Sequence, residues 1–203
     1  MPNLIIIRHG QSVWNLQNRF TGETDIDLSE AGIAEATNAG LLIKKEHFDI
    51  AYTSVLKRAI HTLQLILEIL PDKTLRFFCN KALNERNYGD LQGLNKAATL
   101  AKYGEPQMLL WRRSFAVKPP NGESLMDTYN RVVPYYKKEI EPQLNNNKNI
   151  LIVAHGNSLR ALMMYLEHIS KTDIETVEIA TGIPRKYQFG NNLLLKQVYN
   201  MLA

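Results

Sequence analysis

Cysteine is almost missing from this chain of 203 residues: Cys79 stands alone, so no internal disulfide can form. No apolar run approaches the ~20 residues that cross a bilayer. The first segment reaches Arg8 after four aliphatic residues, so a secretory leader is not expected. No low-complexity stretch or linker interrupts the chain, which is expected to fold as one domain over 1–203. The net charge is +4, yet there is no long Lys/Arg run of the kind that grips nucleic acid. These absences point to a cytoplasmic protein with no membrane and no nucleic-acid partner. Its basic excess fits a small anionic ligand. With 45% hydrophobic and 22% charged residues, the balance is that of an ordinary globular protein.

What is present is a pair of similar segments. Asn3-Leu4-Ile5-Ile6-Ile7-Arg8-His9-Gly10 opens the chain, and Asn149-Ile150-Leu151-Ile152-Val153-Ala154-His155-Gly156 recurs far downstream. Each is a β-branched apolar run that stops at His-Gly. A run without polar alternation reads as a strand buried on both faces of a parallel sheet. Ligands bind at the carboxyl ends of such strands. If the two strands are neighbours, His9 and His155 face one cleft.

The rest of the pattern alternates. Strand 3–8 is followed by a long loop at 11–27 and a helix near 29–46 capped by Ser29. A short strand, 49–53, leads through Thr53 or Ser54 as N-cap into a helix ended by Pro71. Residues 75–79 read as a strand, 80–95 as a loop, and 95–113 as a helical stretch broken around Gly104 and Pro106. Ser124 and Asp127 open a helix to about Leu144, with a kink expected at Pro134. A helix at 157–168 and a hairpin of 186–189 and 193–199 close the chain. The implied fold is α/β: a three-layer sandwich with a mainly parallel sheet flanked by helices and a C-terminal hairpin.

The chemistry concentrates on the strand ends. A neutral imidazole at His9 can act as a nucleophile, Arg8 can hold a phosphate through its planar fork, and Gly10 lets backbone approach an anion. His155-Gly156-Asn157 opens a helix, whose free N–H groups form an anion seat, and His155 can donate to a phosphoryl oxygen. Arg58 lies one turn into its helix and can reach the same rim, and Arg112-Arg113 forms a basic pair. Taken singly, each has a plainer reading as a buried histidine, a helix cap or a solvated arginine. Four arginines around two histidines make a pocket for a highly charged anion and favour neutral imidazole. They also oppose a metal cation at these histidines, so no metal is expected. Phosphoryl transfer from a hydroxyl needs a proton shuttle. Glu85 and Asp90, in one Gly-containing loop, are equally eligible on these grounds, and Glu85 could instead pair with Arg86.

Arg8-His9-Gly10-Gln11-Ser12-Val13-Trp14-Asn15, with Asn18 to Gly22, closely resembles the cofactor-dependent phosphoglycerate mutases of the histidine phosphatase superfamily. So do the segments Thr53 to Ala59, Leu83 to Lys96, Trp111 to Arg113, Ala154 to Arg160 and Thr181 to Pro184. The resemblance implies that His9 is phosphorylated, that Arg8, Arg58 and His155 surround its phosphate, and that Glu85 is the acid/base. It assigns further substrate contacts to Asn15, Thr21, Gly22, Tyr88, Lys96, Arg112, Arg113, Gly156 and Asn157. It implies interconversion of 3-phosphoglycerate and 2-phosphoglycerate in glycolysis and gluconeogenesis, primed by 2,3-bisphosphoglycerate without a metal, in a homodimer.

Two departures stand out. Many members of that family carry Trp after the Thr-Gly pair, where this chain has Glu23-Thr24. Longer members insert a segment between Pro-Pro and Glu-Ser-Leu. Here only Asn121-Gly122 separates Pro120 from Glu123, which is expected to leave the site more open to water. A phosphohydrolase with the same pocket is therefore the first rival, and a non-catalytic phosphate-binding module is the second.

Overall fold

The unbroken apolar run of β1 (Asn3–Arg8) resolves into two faces. Leu4 and Ile6 enter one core cluster, and Ile5 and Ile7 enter the other. β4 (Ile150–Ala154) divides in the same way, with Ile150, Ile152 and Ala154 on the first side and Leu151 and Val153 on the second. Successive side chains of a strand point to opposite faces, and here both faces are covered, so no polar alternation is needed.

This computed structural model describes residues 1–202. The remaining strands are β2 (Ile50–Thr53), β3 (Phe77–Cys79), β5 (Pro184–Phe189) and β6 (Leu195–Asn200). They form one sheet of order β3-β2-β4-β1-β5-β6. β1, β2, β3 and β4 pair in parallel, while β5 and β6 add as an antiparallel hairpin beside β1. The expected mainly parallel sheet with a closing hairpin is observed. Among the described residues no helix is long and apolar enough to cross a membrane.

α1 (Val13–Leu16) is a single turn inside the segment expected to be all loop, capped reciprocally by Ser12 and Asn15. α2 (Glu30–Ile43) and α3 (Lys57–Ile69) cover one face of the sheet through Ala39, Ile43, Leu63 and Ile66. α4 (Lys96–Tyr103) and α5 (Glu105–Arg113) break at Gly104, which holds φ +78°. Met108 and Trp111 of α5 close a small cluster with Phe20 and Leu91. α6 (Leu125–Tyr135), α7 (Glu141–Asn145) and α8 (Gly156–Glu167) cover the opposite face through Leu125, Val132, Leu144, Leu159 and Leu162.

Two local expectations are corrected. Pro134 does not kink the long helix at its own position. The irregularity follows it, as a wider π turn at Tyr136–Ile140 between α6 and α7. A proline removes a backbone donor, and a turn of altered hydrogen-bond spacing absorbs the change. Thr53 and Ser54 do not cap α3, whose N-cap is Leu56, without a side-chain bond. The Thr53 hydroxyl donates to the Val153 carbonyl at 2.8 Å, and the Ser54 hydroxyl lies 2.7 Å from His155 Nε2. The Thr53 hydroxyl thus faces β4 and that of Ser54 faces His155, while the Ser54 oxygen also accepts from the Leu56 N–H at 3.1 Å, just ahead of the first turn of α3.

β1 leaves the sheet by a turn packed backbone against backbone on α2. A Cβ on Gly10 would stand 2.1 Å from the Gly32 carbonyl oxygen, closer than any real contact. Gly10→Ala should therefore force the turn off the helix at a cost of about 1–3 kcal/mol. Thermal denaturation should show a midpoint lower by several degrees. An unchanged midpoint would mean that the close approach is not required.

Candidate active site

The register of the central pair brings the histidines together. Arg8 lies opposite Ala154, and the next residue on each strand is a histidine. The His9 N–H donates to the Ala154 carbonyl at 3.0 Å, and the two rings meet edge to face with centroids 4.9 Å apart. Both side chains are buried.

The His9 tautomer follows from its partners. Nδ1 lies 2.6 Å from the Gly10 carbonyl, an acceptor only, so Nδ1 carries the proton. Arg58 Nε donates to Nε2 at 3.3 Å, so Nε2 presents its lone pair. Burial, then the charges of Arg58 and Arg8, hold His9 well below the usual 6.5, and the Gly10 bond only partly offsets them. His155 is likewise held well below 6.5, first by burial and then by Arg58, His9 and Arg8. Its Nδ1 is buried without a partner, as is Arg8 Nε. Buried polar atoms without partners are costly, and the free Arg8 Nε, always a donor, suits an anionic ligand.

Arg58 reaches the rim from the first turn of α3. It is buried, and its guanidinium donates to the Gly22 and Thr24 carbonyls at 2.7 and 2.9 Å. Burial lowers it to about 10, partly offset by the charge of Glu85, so it stays a cation at neutral pH. Gly22, at φ +53°, turns its carbonyl onto Arg58. Glu85 is 8% exposed, and its Oε1 accepts from the N–H groups of Arg86 at 2.7 Å and Asn157 at 3.0 Å. The second bond sits in the first turn of α8, where the helix dipole favours a carboxylate.

Geometry separates the two carboxylates of the Glu85 loop, because Glu85 lines the cleft and Asp90 does not. Asp90 accepts from Asn121 Nδ2 on the exposed side, away from the cleft. Arg86 does not pair with Glu85. Its guanidinium donates instead to Tyr88 Oη at 3.0 Å and to the Trp111 and Arg112 carbonyls at 3.0 and 3.1 Å. Burial works against ionisation of Tyr88, but the charge and hydrogen bond of Arg86 outweigh it and lower the phenol.

Arg8, His9, Arg58, Glu85 and Tyr88 line one cleft of about 260 Å³. Its inner end holds Arg8, His9, Arg58, Glu85, Gly156 and Asn157, with His155 directly behind His9. Its outer part holds Asn15, Thr21, Gly22, Tyr88, Lys96, Arg112 and Arg113. A Cβ on Gly156 would sit 3.6 Å from both Arg8 Nε and Glu85 Oε2, filling the gap between them. Burial, foremost, lowers Lys96.

Sequence reasoning missed several residues. Ser54 orients His155, but the reading placed its hydroxyl at a helix cap. Arg131 donates to the Glu85 and Asn84 carbonyls at 3.1 and 3.0 Å and pairs with Glu123 at 2.9 Å, so it fixes the Glu85 loop. Arg160 is buried and donates to Asn157 Oδ1 at 3.0 Å. Its place four residues after Gly156, on the same helix face, was the available signal. Arg19 and Glu178 also line the cleft.

The profile of the histidine phosphatase superfamily, branch 1, matches residues 4–192. The chain belongs to that superfamily. It is 58% identical over 198 residues to a protein of Cytophaga hutchinsonii named 2,3-bisphosphoglycerate-dependent phosphoglycerate mutase, covering 98% of this chain and 92% of the relative. A protein of the same name from Bradyrhizobium diazoefficiens is 56% identical, covering 91% and 90%. Among solved structures of the histidine phosphatase fold, a mycobacterial glucosyl-3-phosphoglycerate phosphatase superposes with TM-score 0.82 at 26% identity, covering both chains fully.

The depressed histidines fix the sign of a pH effect. The unfolded chain takes up a proton on each ring as the pH drops through about 6.5, whereas the folded chain does not. Their contribution is therefore lost on acidification below that point and unaffected above it. Thermal midpoints followed from pH 8 to 5 should fall less steeply at the acid end in His155→Asn than in the parent chain. Parallel curves would show that His155 is not kept neutral by folding.

Proposed function

We propose that this chain is a 2,3-bisphosphoglycerate-dependent phosphoglycerate mutase, interconverting 3-phosphoglycerate and 2-phosphoglycerate through a phosphorylated His9. The observation that carries this reading is His9 Nε2, left with its lone pair by the Gly10 and Arg58 contacts, at the inner end of a cleft with a second set of cations further out. A single phosphate needs only the inner set. The outer set suits a ligand with a second anionic group. The names of relatives 58% and 56% identical to this chain agree.

The chain's own groups divide the work. Nε2 of His9 forms a bond to phosphorus as the bond from phosphorus to the ester oxygen breaks. Glu85 gives a proton to that departing oxygen and takes one from the hydroxyl that attacks next. Arg8, Arg58 and the free Nδ1 of His155 balance charge on the phosphoryl oxygens. Lys96, Arg112 and Arg113, with Tyr88, Asn15, Thr21, Gly22, Gly156 and Asn157, hold the rest of the substrate. Bound 2,3-bisphosphoglycerate would supply the phosphoryl group that primes His9, and the unpartnered Arg8 Nε and the outer cations fit its two ends. In this reading arginines rather than a metal ion offset the phosphate charge.

Incubation with 3-phosphoglycerate in EDTA, with and without 2,3-bisphosphoglycerate, is the deciding experiment. Stimulated formation of 2-phosphoglycerate is expected. Glu85→Gln should lower turnover roughly a hundredfold or more, and His9→Ala should abolish both transfer and acid-labile labelling. Normal turnover in Glu85→Gln, or retained labelling in His9→Ala, would remove the assignment.

Hydrolysis is the second reading, and one feature favours it as a side activity. The 119–122 turn is tied back onto the Glu85 loop: the Asp90 N–H donates to the Pro120 carbonyl at 3.0 Å and the Glu123 N–H to that of Asn87 at 2.8 Å. None of these turn residues lines the cleft, so water can reach a phosphorylated His9. Free phosphate without 2-phosphoglycerate in the same incubation would make hydrolysis the main activity.

The same reading sets the protein in glycolysis and gluconeogenesis, in the cytoplasm, as a homodimer. β3 is one of the two edges of the sheet, its three residues are all exposed, and Phe77 and Phe78 keep 38% and 51% of their surface in solvent. An apolar edge with unpaired backbone groups invites another strand, and a second copy supplies it under a two-fold axis. Phe78→Glu should shift the light-scattering mass from dimer to monomer. A wild-type monomer would overturn the assembly.

A further inference from the structure

Among the residues lining the cleft, only Glu85 and Glu178 are acidic, against six arginines and one lysine. Glu85 is buried and held by backbone N–H groups. Glu178 is the opposite case. It lies on the segment between α8 and β5, with its side chain 71% exposed, and its carboxylate accepts a hydrogen bond from the Arg113 guanidinium. The backbone beside it is anchored: Arg8 donates to the Ile179 carbonyl at 2.7 Å, and the Gly182 N–H donates to the Arg8 carbonyl at 2.9 Å. The segment therefore stays in place while the Glu178 side chain is free to leave. The carboxylate is held below its ordinary range by the hydrogen bond from Arg113, then by the charge of Arg113, with Arg112 and Arg8 adding to it.

We propose that Glu178 is a resident counter-anion for Arg113, occupying the outer seat in the free enzyme and yielding it to the second anionic group of a substrate. A carboxylate and an incoming anion compete for the same N–H donors, so one must leave before the other is bound. The pair is exposed, and displacing it costs little. That small cost falls only on ligands that carry a second anion. A phosphate monoester with no other charge uses the inner seat and leaves the pair intact. Glu178 thus loosens the hold on the outer end of a phosphoglycerate without touching the phosphoryl seat. It acts through Arg113, which makes it a specificity-setting position rather than a catalytic residue.

The inference rests on the mutase reading for the identity of the two-anion ligand. Its test is calorimetric binding of 3-phosphoglycerate at low salt to the wild type, Glu178→Gln, Arg113→Ala and the double variant, with p-nitrophenyl phosphate hydrolysis recorded beside it. Glu178→Gln should bind 3-phosphoglycerate about three- to fivefold more tightly, the scale of one exposed ion pair. Its KM for p-nitrophenyl phosphate should not move. In the Arg113→Ala background the gain from Glu178→Gln should vanish. Unchanged or weaker binding in Glu178→Gln would overturn the proposal. So would an equal gain with and without Arg113, because that is the mark of general charge removal. Turnover of 3-phosphoglycerate is scored separately. A chain that binds as described but forms no 2-phosphoglycerate would sink the mutase reading alone, while normal mutase turnover with unaltered affinity in Glu178→Gln would sink this one alone.

Discussion

The parallel pairing of β1 with β4 is the constraint on which the rest depends. Its register sets Arg8 opposite Ala154, and everything chemical follows one residue later. A slip by one residue would reverse the face on which each side chain lies and separate the two imidazoles. The pairing is enforced from both sides, because Leu4, Ile6, Ile150 and Ile152 fill one core cluster and Ile5, Ile7, Leu151 and Val153 fill the other. Hydrophobic burial above and below the sheet thus holds two rings edge to face at its rim.

The cations around those rings fall into two environments. Arg58 is buried and tied to the Gly22 and Thr24 carbonyls, so its charge acts through little solvent and its position is fixed. Arg112 is exposed, and the half-buried Arg113 meets the exposed Glu178 carboxylate on its outer side. Arg86 and Arg160, both buried, donate to the carbonyls at the end of α5 from beneath. One layer of arginine therefore braces another. Burial first, and then charge led by Arg58, keeps His9 and His155 neutral, which is the state in which an imidazole can offer a lone pair.

The sheet and both histidines were legible because burial on two faces leaves an unmistakable apolar run that ends at a polar residue. Loop geometry was not legible in the same way. Glu85 and Asp90 lie five residues apart in one loop, and only the folded path shows one turned to the α8 N-terminus and the other to Asn121. Ser54 was misread because its local option, a helix cap, competes with a partner 101 residues away. A local ion pair with Glu85 was open to Arg86 in the sequence, but its acceptors come from the end of α5. Arg131 and Glu178 have no local signature at all, since each acts on a group brought close by long-range folding. The irregular turn after Pro134 was signalled by the proline, but its displacement to Tyr136–Ile140 depends on how the backbone ladder repairs itself.

The tied-back turn at 119–122 has a consequence for how such proteins diversify. The inner end of the cleft is built on strand ends, the first turns of two helices and the Glu85 loop, whereas its outer part comes from loops, the short α1, the start of α4 and the end of α5. Loops tolerate insertion and exchange far better than paired strands. A lineage can therefore lengthen or shorten the turn, or replace the Glu178 segment, and acquire a new substrate while the histidine pair stays untouched. The solved phosphatase that shares this fold at 26% identity is what such inheritance would leave behind.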